Sequence, residues 1–478
     1  MPKTLTIAQP KLRMEDPHNC TDAKDVLAIF GALFDPLVSR APNLDFTPAL
    51  AESWQVDEDA RTWTFHLREG LRFHNGDAVD AASVKYSLER MARPDMGTTL
   101  GAPGVYHQYL AGMRIQVLDS RRVRLTTAAP LADLLDILST GYILPPGVVE
   151  PAGGNFKHHP VGTGPYEFVE HRAGDRIRVQ RRGGVFPDIP DCDAIEWRYV
   201  PDPAQRLQML AENRAQIATL LQPADLPREG SVTVSRSRGP TAYILMFNAA
   251  RGPFQDRRLR LALNYAVDRQ EVIQKVLSGA GYPLSGFVSP QHWGADPDRP
   301  PYPYDPGRAR KLLKAAGFGG GLRVVLDSPT ALPDEAIRLS QVLVEQLGRI
   351  GVEVEVNTTA DREAYAHKVR LKDIHDMCVF DSSPLSTFRV LREKIDSRFK
   401  GSWWQGYRNT DVEALLDQAA MTVDESRRKL IYRECFRLLC EDPPWLYLYN
   451  HQELTGVNAS LSGWRMPDHG VIDVRRLR

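Results

Sequence analysis

The sequence predicts an α/β protein of two or three lobes. A chain of 478 residues is too long for one compact core, because domains usually hold about 100 to 200 residues. Strand patterns alternate with helix patterns after residue 160, which favours layered α/β structure with a partly parallel sheet. Residues 43–159 show a separate pattern of short alternating strands and two helices, which predicts a separate unit.

The elements follow in order along the chain. The first forty residues combine a strand, the turn sequence DPHN and an apolar helix at 26–37. The remaining predicted strands lie at 54–56, 63–67, 122–125, 166–170, 176–181, 194–199, 217–221, 322–327 and 352–356. The remaining predicted helices lie at 79–92, 130–139, 203–213, 256–277, 307–316, 334–350 and 411–440.

Two segments stand out, and both argue against an enzyme. The segment 160–168, PVGTGPYEF, places Gly162, Gly164 and Pro165 ahead of a strand pattern, which predicts a tight turn. The segment 257–269, RRLRLALNYAVDR, has helical spacing behind a capping Asp256. Neither segment contains a nucleophile, a metal-ligand cluster or a phosphate-binding loop. We therefore expect a protein that is not an enzyme.

These segments resemble the two strongest signatures of the family 5 extracellular solute-binding proteins, the oligopeptide, dipeptide and nickel receptors of ABC importers. The resemblance covers nearly the whole chain, and its blocks occur in the order found in the family. They are PALAESW at 48–54, WTFHLREGLRFHNG at 63–76, VDAASVKYSLER at 79–90, YRNTDVEALLDQA at 407–419 and EDPPW at 441–445.

The resemblance implies an α/β clamshell like that of type II periplasmic binding proteins, with two main lobes plus an extra α+β lobe. Its expected division is lobe I at 1–42, the extra lobe II at 43–159, lobe I again at 160–248, lobe III at 249–450 and a return to lobe I at 451–478. Its expected function is to capture a small hydrophilic solute between lobes and deliver it to an ABC permease in the inner membrane. The solute is a peptide, an opine-like conjugate or an oligosaccharide, and the receptor is expected to be a monomer. The alternative is a cytoplasmic ligand-sensing protein with the same fold.

Asp381 is the site residue that the resemblance implies, since peptide-binding members place at this position an aspartate that pairs with the ligand's α-amino group. It follows the apolar residues Val379 and Phe380, where a low local dielectric strengthens a charged pair. The alternative role for Asp381 is to cap the turn that follows it. Cys378 and the run SSPLST depart from the peptide-binding pattern, so the sequence leaves the peptide class open.

Further candidates follow in the same region. Arg389 and Arg392 are three apart, and an arginine fork can hold a carboxylate or phosphate, whereas a solvated helix face is the alternative. Trp403 and Trp404 are adjacent in a glycine-flanked loop, so we expect one to line the ligand site and the other to anchor the loop. Core packing is the alternative for both.

Two more pairs of residues complete the candidate set. His18 and Asn19 lie in the first loop between a strand and a helix, where ligands of open α/β sheets bind. Tyr243 and Asn248 flank a short apolar strand near a predicted crossing between lobes.

Composition excludes several other functions. Lys plus Arg and Asp plus Glu both number 60, which argues against binding to nucleic acid. No Cys or His spacing predicts a metal site, and we expect no cofactor. Cys435 and Cys440 have a poor spacing for a disulfide and are expected to be buried thiols.

The compartment follows from the resemblance rather than from the N-terminus. Residues 4–8 alternate like a strand and lack the apolar core of a signal peptide. We expect a periplasmic protein whose signal peptide was removed or lies upstream of the assigned start, with a cytoplasmic location as the alternative.

Overall fold

The computed structural model describes residues 4–19, 22–41, 44–97, 104–183, 192–222, 232–331, 333–461, 463–467 and 469–477. The chain forms two compact units: unit 1 comprises Met1–Ser237 with Glu453–Arg478, and unit 2 comprises Arg238–Gln452. The predicted α/β class is confirmed. The finer five-segment division stays a prediction.

The α-helices of the described residues are α1 Lys24–Leu33, α2 Ala81–Met91, α3 Val105–Leu110, α4 Leu134–Leu138, α5 Pro146–Ala152, α6 Pro203–Ala211, α7 Arg257–Ala266, α8 Arg269–Leu277, α9 Pro306–Ala315, α10 Ala336–Gly348, α11 Arg362–Arg370, α12 Thr387–Val390, α13 Thr410–Met421 and α14 Glu425–Glu441. Within the described residues, none of the helices combines the length and the apolarity needed to cross a bilayer.

The strands are β1 Thr4–Gln9, β2 Val38–Arg40, β3 Phe46–Pro48, β4 Ala51–Val56, β5 Thr62–Leu67, β6 Arg114–Val117, β7 Arg122–Thr126, β8 Tyr166–Arg172, β9 Arg176–Arg181, β10 Ala194–Tyr199, β11 Ile217–Ala218, β12 Val232–Arg238, β13 Ala242–Phe247, β14 Gly281–Pro283, β15 Leu322–Pro329, β16 Val352–Thr359, β17 Met377–Ser382 and β18 Trp445–Asn458.

Unit 1 is built on a sheet in which the strands follow the order β8-β9-β10-β1-β11 and end on the last part of β18. β1 pairs in parallel with both β10 and β11. Helix α1 packs on this sheet and buries its apolar face, including Phe30, against Ile7, Tyr166 and Trp197. A second, antiparallel sheet has the order β4-β5-β7-β6.

Unit 2 has a mixed sheet with the order β16-β15-β17-β13, followed by the first part of β18. β15 is parallel to β16 and β17, whereas β13 is antiparallel to β17 and β18. The carboxyl ends of the three parallel strands therefore lie at one edge of the sheet, together with the beginning of β13. We call this edge of unit 2 the carboxyl edge.

The predicted helix at 256–277 is wrong as one element, because the structure has two helices there. Asp256 caps α7 by accepting a hydrogen bond from the backbone N–H of Arg258, as predicted. The chain then turns extended at Val267, and the Asp268 side chain caps α8. The predicted helix at 411–440 divides in the same way, with Asp424 capping α14. In both cases an internal aspartate ended one helix and began another.

The cysteines of the described residues are buried and are not joined in disulfides, as expected for Cys435 and Cys440. Burial raises the pKa of both thiols to about 12, so they are protonated at neutral pH. Cys20 lies outside the described residues.

Candidate functional site

The candidate site in unit 2 lies where three neighbouring strands bring polar and aromatic side chains to the carboxyl edge. Tyr243 of β13 is directly opposite Asp381 of β17 and Tyr449 of β18. Directly opposed residues of antiparallel strands point to the same face, so these three side chains share one face of the sheet. Ligands of open α/β sheets bind beyond the carboxyl ends of strands, which is where this group lies.

Asp381 is a partly exposed carboxylate next to a cation. Its side chain is 29% exposed, and its Oδ1 lies 3.9 Å from Nη2 of Arg362. This distance is longer than a hydrogen bond, so the two groups attract each other without being locked together. Lys394 Nζ donates a hydrogen bond of 3.2 Å to the backbone carbonyl of Asp381.

Arg362 is the first residue of α11, the helix that follows β16. Its guanidinium carbon lies 5.5 Å from the ring centre of Tyr365 and 5.7 Å from that of Phe380. Nε and Nη1 are buried without a hydrogen-bond partner among the described residues. A buried donor without a partner is costly, so this guanidinium is suited to receive an acceptor that is brought by another molecule.

Two aromatic rings pack together beside β17, where Phe380 points to the opposite face of the strand from Asp381. The rings of Phe380 and Trp403 lie 5.0 Å apart at an interplanar angle of 43°, and Arg370 lies 5.8 Å from the Trp403 ring centre. The Trp403 loop is fixed by Lys372, whose Nζ donates to the carbonyl oxygen of Gly401 at 2.9 Å. Burial lowers the pKa of Lys372 to about 8.

Trp404 has a different environment from Trp403. Its Nε1 donates a hydrogen bond of 2.6 Å to the carbonyl of Tyr407 within the same loop. Trp404 therefore anchors the loop, while Trp403 contacts the ring beside Asp381. Ligand contact by either tryptophan stays a prediction.

An aromatic stack forms the other half of the site. The Tyr243 ring stacks on His451 at 4.3 Å and on Tyr449 at 5.2 Å. Beneath the stack, the Glu335 carboxylate accepts a hydrogen bond from the Tyr449 hydroxyl at 3.0 Å and binds His451 Nε2 at 2.6 Å. Burial acts to raise the pKa of Glu335, but the hydrogen bonds from His451 and Tyr449 hold it below the usual value.

Two other predicted ligand contacts already have partners inside unit 2. Asn248 donates from Nδ2 to the carbonyls of Ile374 and His375, at 3.1 and 2.9 Å. Arg389 is buried and donates from Nε to Glu393 Oε1 at 2.9 Å. Both side chains hold unit 2 together locally, and their predicted role in binding stays a prediction.

The predicted candidates His18 and Asn19 lie in unit 1, in the loop after β1. His18 is buried, and its Nε2 donates to the carbonyl of Tyr142 at 2.8 Å. Its Nδ1 is buried without a partner in the described residues. Burial lowers the pKa of His18 to about 4, with a further contribution from the nearby Arg90. Asn19 is half-buried, and its backbone N–H donates to the carbonyl of Asp16.

The burial of His18 predicts acid sensitivity. Its pKa is lowered in the folded state, so it stabilises the fold above its unfolded value near 6.5 and loses that effect as the pH falls toward 4. We expect His18 to reduce the free energy of unfolding by about 2 kcal/mol between pH 7 and pH 5. Urea unfolding of wild type, His18→Gln and the exposed control His158→Gln at both pH values measures this. Equal pH dependence in wild type and His18→Gln would show that His18 is not the cause.

Sequence reasoning missed Arg362, Glu335 and His451. One signal for Arg362 was available, because it opens a helix directly after a predicted parallel strand, and such helices begin at the carboxyl edge. Glu335 and His451 lie 116 positions apart and meet only through the fold. Within the described part of the chain, no group of three or more His, Cys, Asp or Glu side chains is placed to hold a metal ion.

The chain is similar to bacterial solute-binding proteins over most of its length. Residues 45–387 match the family model of the bacterial extracellular solute-binding proteins, family 5 Middle. The glutathione-binding protein GsiB of Escherichia coli O1:K1 is 28% identical over 473 residues, which are 95% of this chain and 90% of that protein.

Two solved structures have the same fold. The binding protein AgaA of A. tumefaciens R10, in complex with agropinic acid, is 24% identical with a TM-score of 0.79, covering 99% of this chain and 96% of that one. The binding protein DppA of Helicobacter pylori, in complex with the peptide STSA, is 23% identical with a TM-score of 0.79, covering 100% and 97%.

Proposed function

Since this chain belongs to the bacterial extracellular solute-binding proteins of family 5 and is the substrate receptor of an ABC importer, we propose that it captures a short peptide or an amino-acid conjugate. The ligand's ammonium group pairs with Asp381. The receptor acts as a periplasmic monomer and delivers its ligand to a permease in the inner membrane. It performs no bond-making chemistry.

The observation that supports this ligand class is the carboxylate of Asp381. It is partly exposed at the carboxyl edge and lies 3.9 Å from its charged neighbour Arg362. Because it is partly exposed and not hydrogen-bonded to Arg362, this carboxylate can accept hydrogen bonds from the ammonium group of a ligand. The half-buried ring of Trp403, which lies 5.0 Å from the buried ring of Phe380, offers apolar contact for the body of the ligand.

The ligands named for the similar proteins agree with this class. Glutathione and STSA are peptides, and agropinic acid is the ligand of the third protein. An uncharged oligosaccharide, which the sequence left open, would bring no charged group to pair with Asp381 or Arg362, so we favour peptides and conjugates over it.

A titration with paired ligands tests the proposal. Protein freed of bound ligand by unfolding and refolding is first screened with di- and tripeptides, glutathione and oligosaccharides, because a ligand at 100 times its Kd adds about 2.7 kcal/mol to stability. The best peptide is then compared with its N-acetylated form by calorimetry. Acetylation removes the ammonium charge, so we expect at least about tenfold weaker binding.

Two results would contradict the proposal. One is equal affinity for the free and the N-acetylated peptide. The other is a stability increase with an uncharged oligosaccharide and with none of the peptides or conjugates.

A further inference from the structure

The cations around Asp381 restrict which charged groups a ligand can bring to this site. Two cations lie near Asp381, since Arg362 Nη2 is 3.9 Å from its carboxylate and Lys394 Nζ is 3.2 Å from its backbone carbonyl. An ammonium group bound at Asp381 would also lie near the Arg362 guanidinium, and like charges repel at this range.

Arg362 also has unused hydrogen-bonding capacity. Nε and Nη1 are buried and lack a partner in the described part of the chain, and Nη2 is too far from Asp381 for a hydrogen bond. The rings of Tyr365 and Phe380 hold the guanidinium in place without using these donors. A planar, fixed guanidinium of this kind matches a carboxylate, which accepts two parallel hydrogen bonds.

Building on the proposed function, we propose that Asp381 and Arg362 together recognise a free α-amino-acid head group, in which one carbon bears both the ammonium and the carboxylate. Asp381 takes the ammonium and Arg362 takes the carboxylate. The head group supplies both missing partners at once and adds no net charge to the site.

This assignment separates two kinds of peptide. In an ordinary peptide the first residue has a free ammonium, but its α-carboxyl group is consumed by the peptide bond. A peptide joined through the side-chain carboxyl of its first residue keeps both groups free on the same carbon. The site therefore favours side-chain-linked peptides and side-chain-modified amino acids over ordinary peptides.

The isomers γ-Glu-Gly and α-Glu-Gly test this inference, because they have the same atoms and the same net charge. We expect wild-type protein, freed of bound ligand, to bind the γ-isomer about tenfold or more tightly than the α-isomer in calorimetry. Arg362→Met keeps an apolar chain over Tyr365 and Phe380 but removes the donors, and it should abolish the preference. Arg362→Lys keeps the charge without the fork and should restore only part of it.

The controls distinguish a failure of the head-group inference from a failure of the proposed function. Arg323→Met removes an exposed arginine at the start of β15, far along the strand from the carboxyl edge, and should leave the preference unchanged. Circular dichroism verifies that each variant is folded. Equal affinity for both isomers, with Asp381→Asn weakening both, would overturn the head-group inference alone. Failure of both isomers to bind wild type, while another ligand binds independently of Asp381, would overturn the proposed function as well.

Discussion

Replacing Gly164 by alanine is expected to lower the thermal unfolding midpoint of unit 1 by about 6 °C or more, which corresponds to a loss of about 3 kcal/mol in a unit of this size. A Cβ atom at Gly164 would lie 2.3 Å from the carbonyl oxygen of Ala32 and 2.7 Å from the carbonyl carbon of Leu33. These are backbone atoms at the end of α1, which cannot rotate away as a side chain can. Either the loop or the helix must move.

The loop around Gly164 has further contacts that resist such a movement. The backbone N–H of Gly164 donates to the carbonyl of Leu33 at 2.9 Å. Thr163 Oγ1 donates to Asp35 Oδ2 at 2.8 Å and accepts from the Asp35 backbone N–H at 3.0 Å. His74 Nε2 donates to the carbonyl of Gly164 at 3.0 Å. Displacing the loop would therefore break several buried hydrogen bonds together.

Gly147→Ala is the matched control, because a Cβ atom there meets no other atom within 4 Å and the residue lies in α5. Alanine is the better helix former, so this variant should match or exceed wild-type stability. Differential scanning calorimetry of the three proteins gives the midpoints. A Gly164→Ala midpoint equal to that of Gly147→Ala would show that the loop tolerates the added atom.

The same glycines show what the sequence could and could not predict. The run of Gly162, Gly164 and Pro165 predicted a turn into a strand, and β8 does begin at Tyr166. The reason for the glycines was not visible, because the close approach of α1 involves residues about 130 positions earlier. Local pattern therefore predicted the element, whereas tertiary packing explains the residue type.

The family, the fold class and the receptor function were all predicted correctly, since the motif blocks that indicate them are local sequences. Helix boundaries were less predictable, because one capping aspartate such as Asp268 outweighs a continuous helical spacing.

The composition of the site depended on topology. Arg362 lies 19 positions before Asp381, and they meet because β17 returns beside β15 and places its end near the start of α11. The sequence predicted that Asn248 contacts the ligand, yet its side-chain amide donates hydrogen bonds to two backbone carbonyls that precede β17. Such pairings depend on which strands are neighbours, which spacing along the chain does not reveal.

Asp381→Asn is expected to weaken binding of a peptide-type ligand about a hundredfold, which is about 2.7 kcal/mol. Asparagine has nearly the same shape but no charge, so the ligand's ammonium loses its counter-ion while Arg362 and Lys394 remain close by. The loss should be largest at low ionic strength, because salt screens a partly exposed pair. Stability should change little, since Asp381 is partly exposed and its ion pair with Arg362 is long.

The control for this variant is Glu353→Gln, which removes one exposed carboxylate at the start of β16, away from the carboxyl edge. It changes the net charge of unit 2 by the same amount as Asp381→Asn. A loss of affinity in both variants would indicate a general electrostatic effect rather than a direct contact.

The most direct test of the central claim is a calorimetric titration of one peptide and its N-acetylated form into wild type and Asp381→Asn. We expect acetylation and the substitution each to weaken binding strongly. Acetylation should have little further effect once Asp381 is replaced, because both changes remove the same ion pair. Full additivity of the two losses, or wild-type affinity in Asp381→Asn, would contradict the claim that Asp381 binds the ammonium group of the ligand.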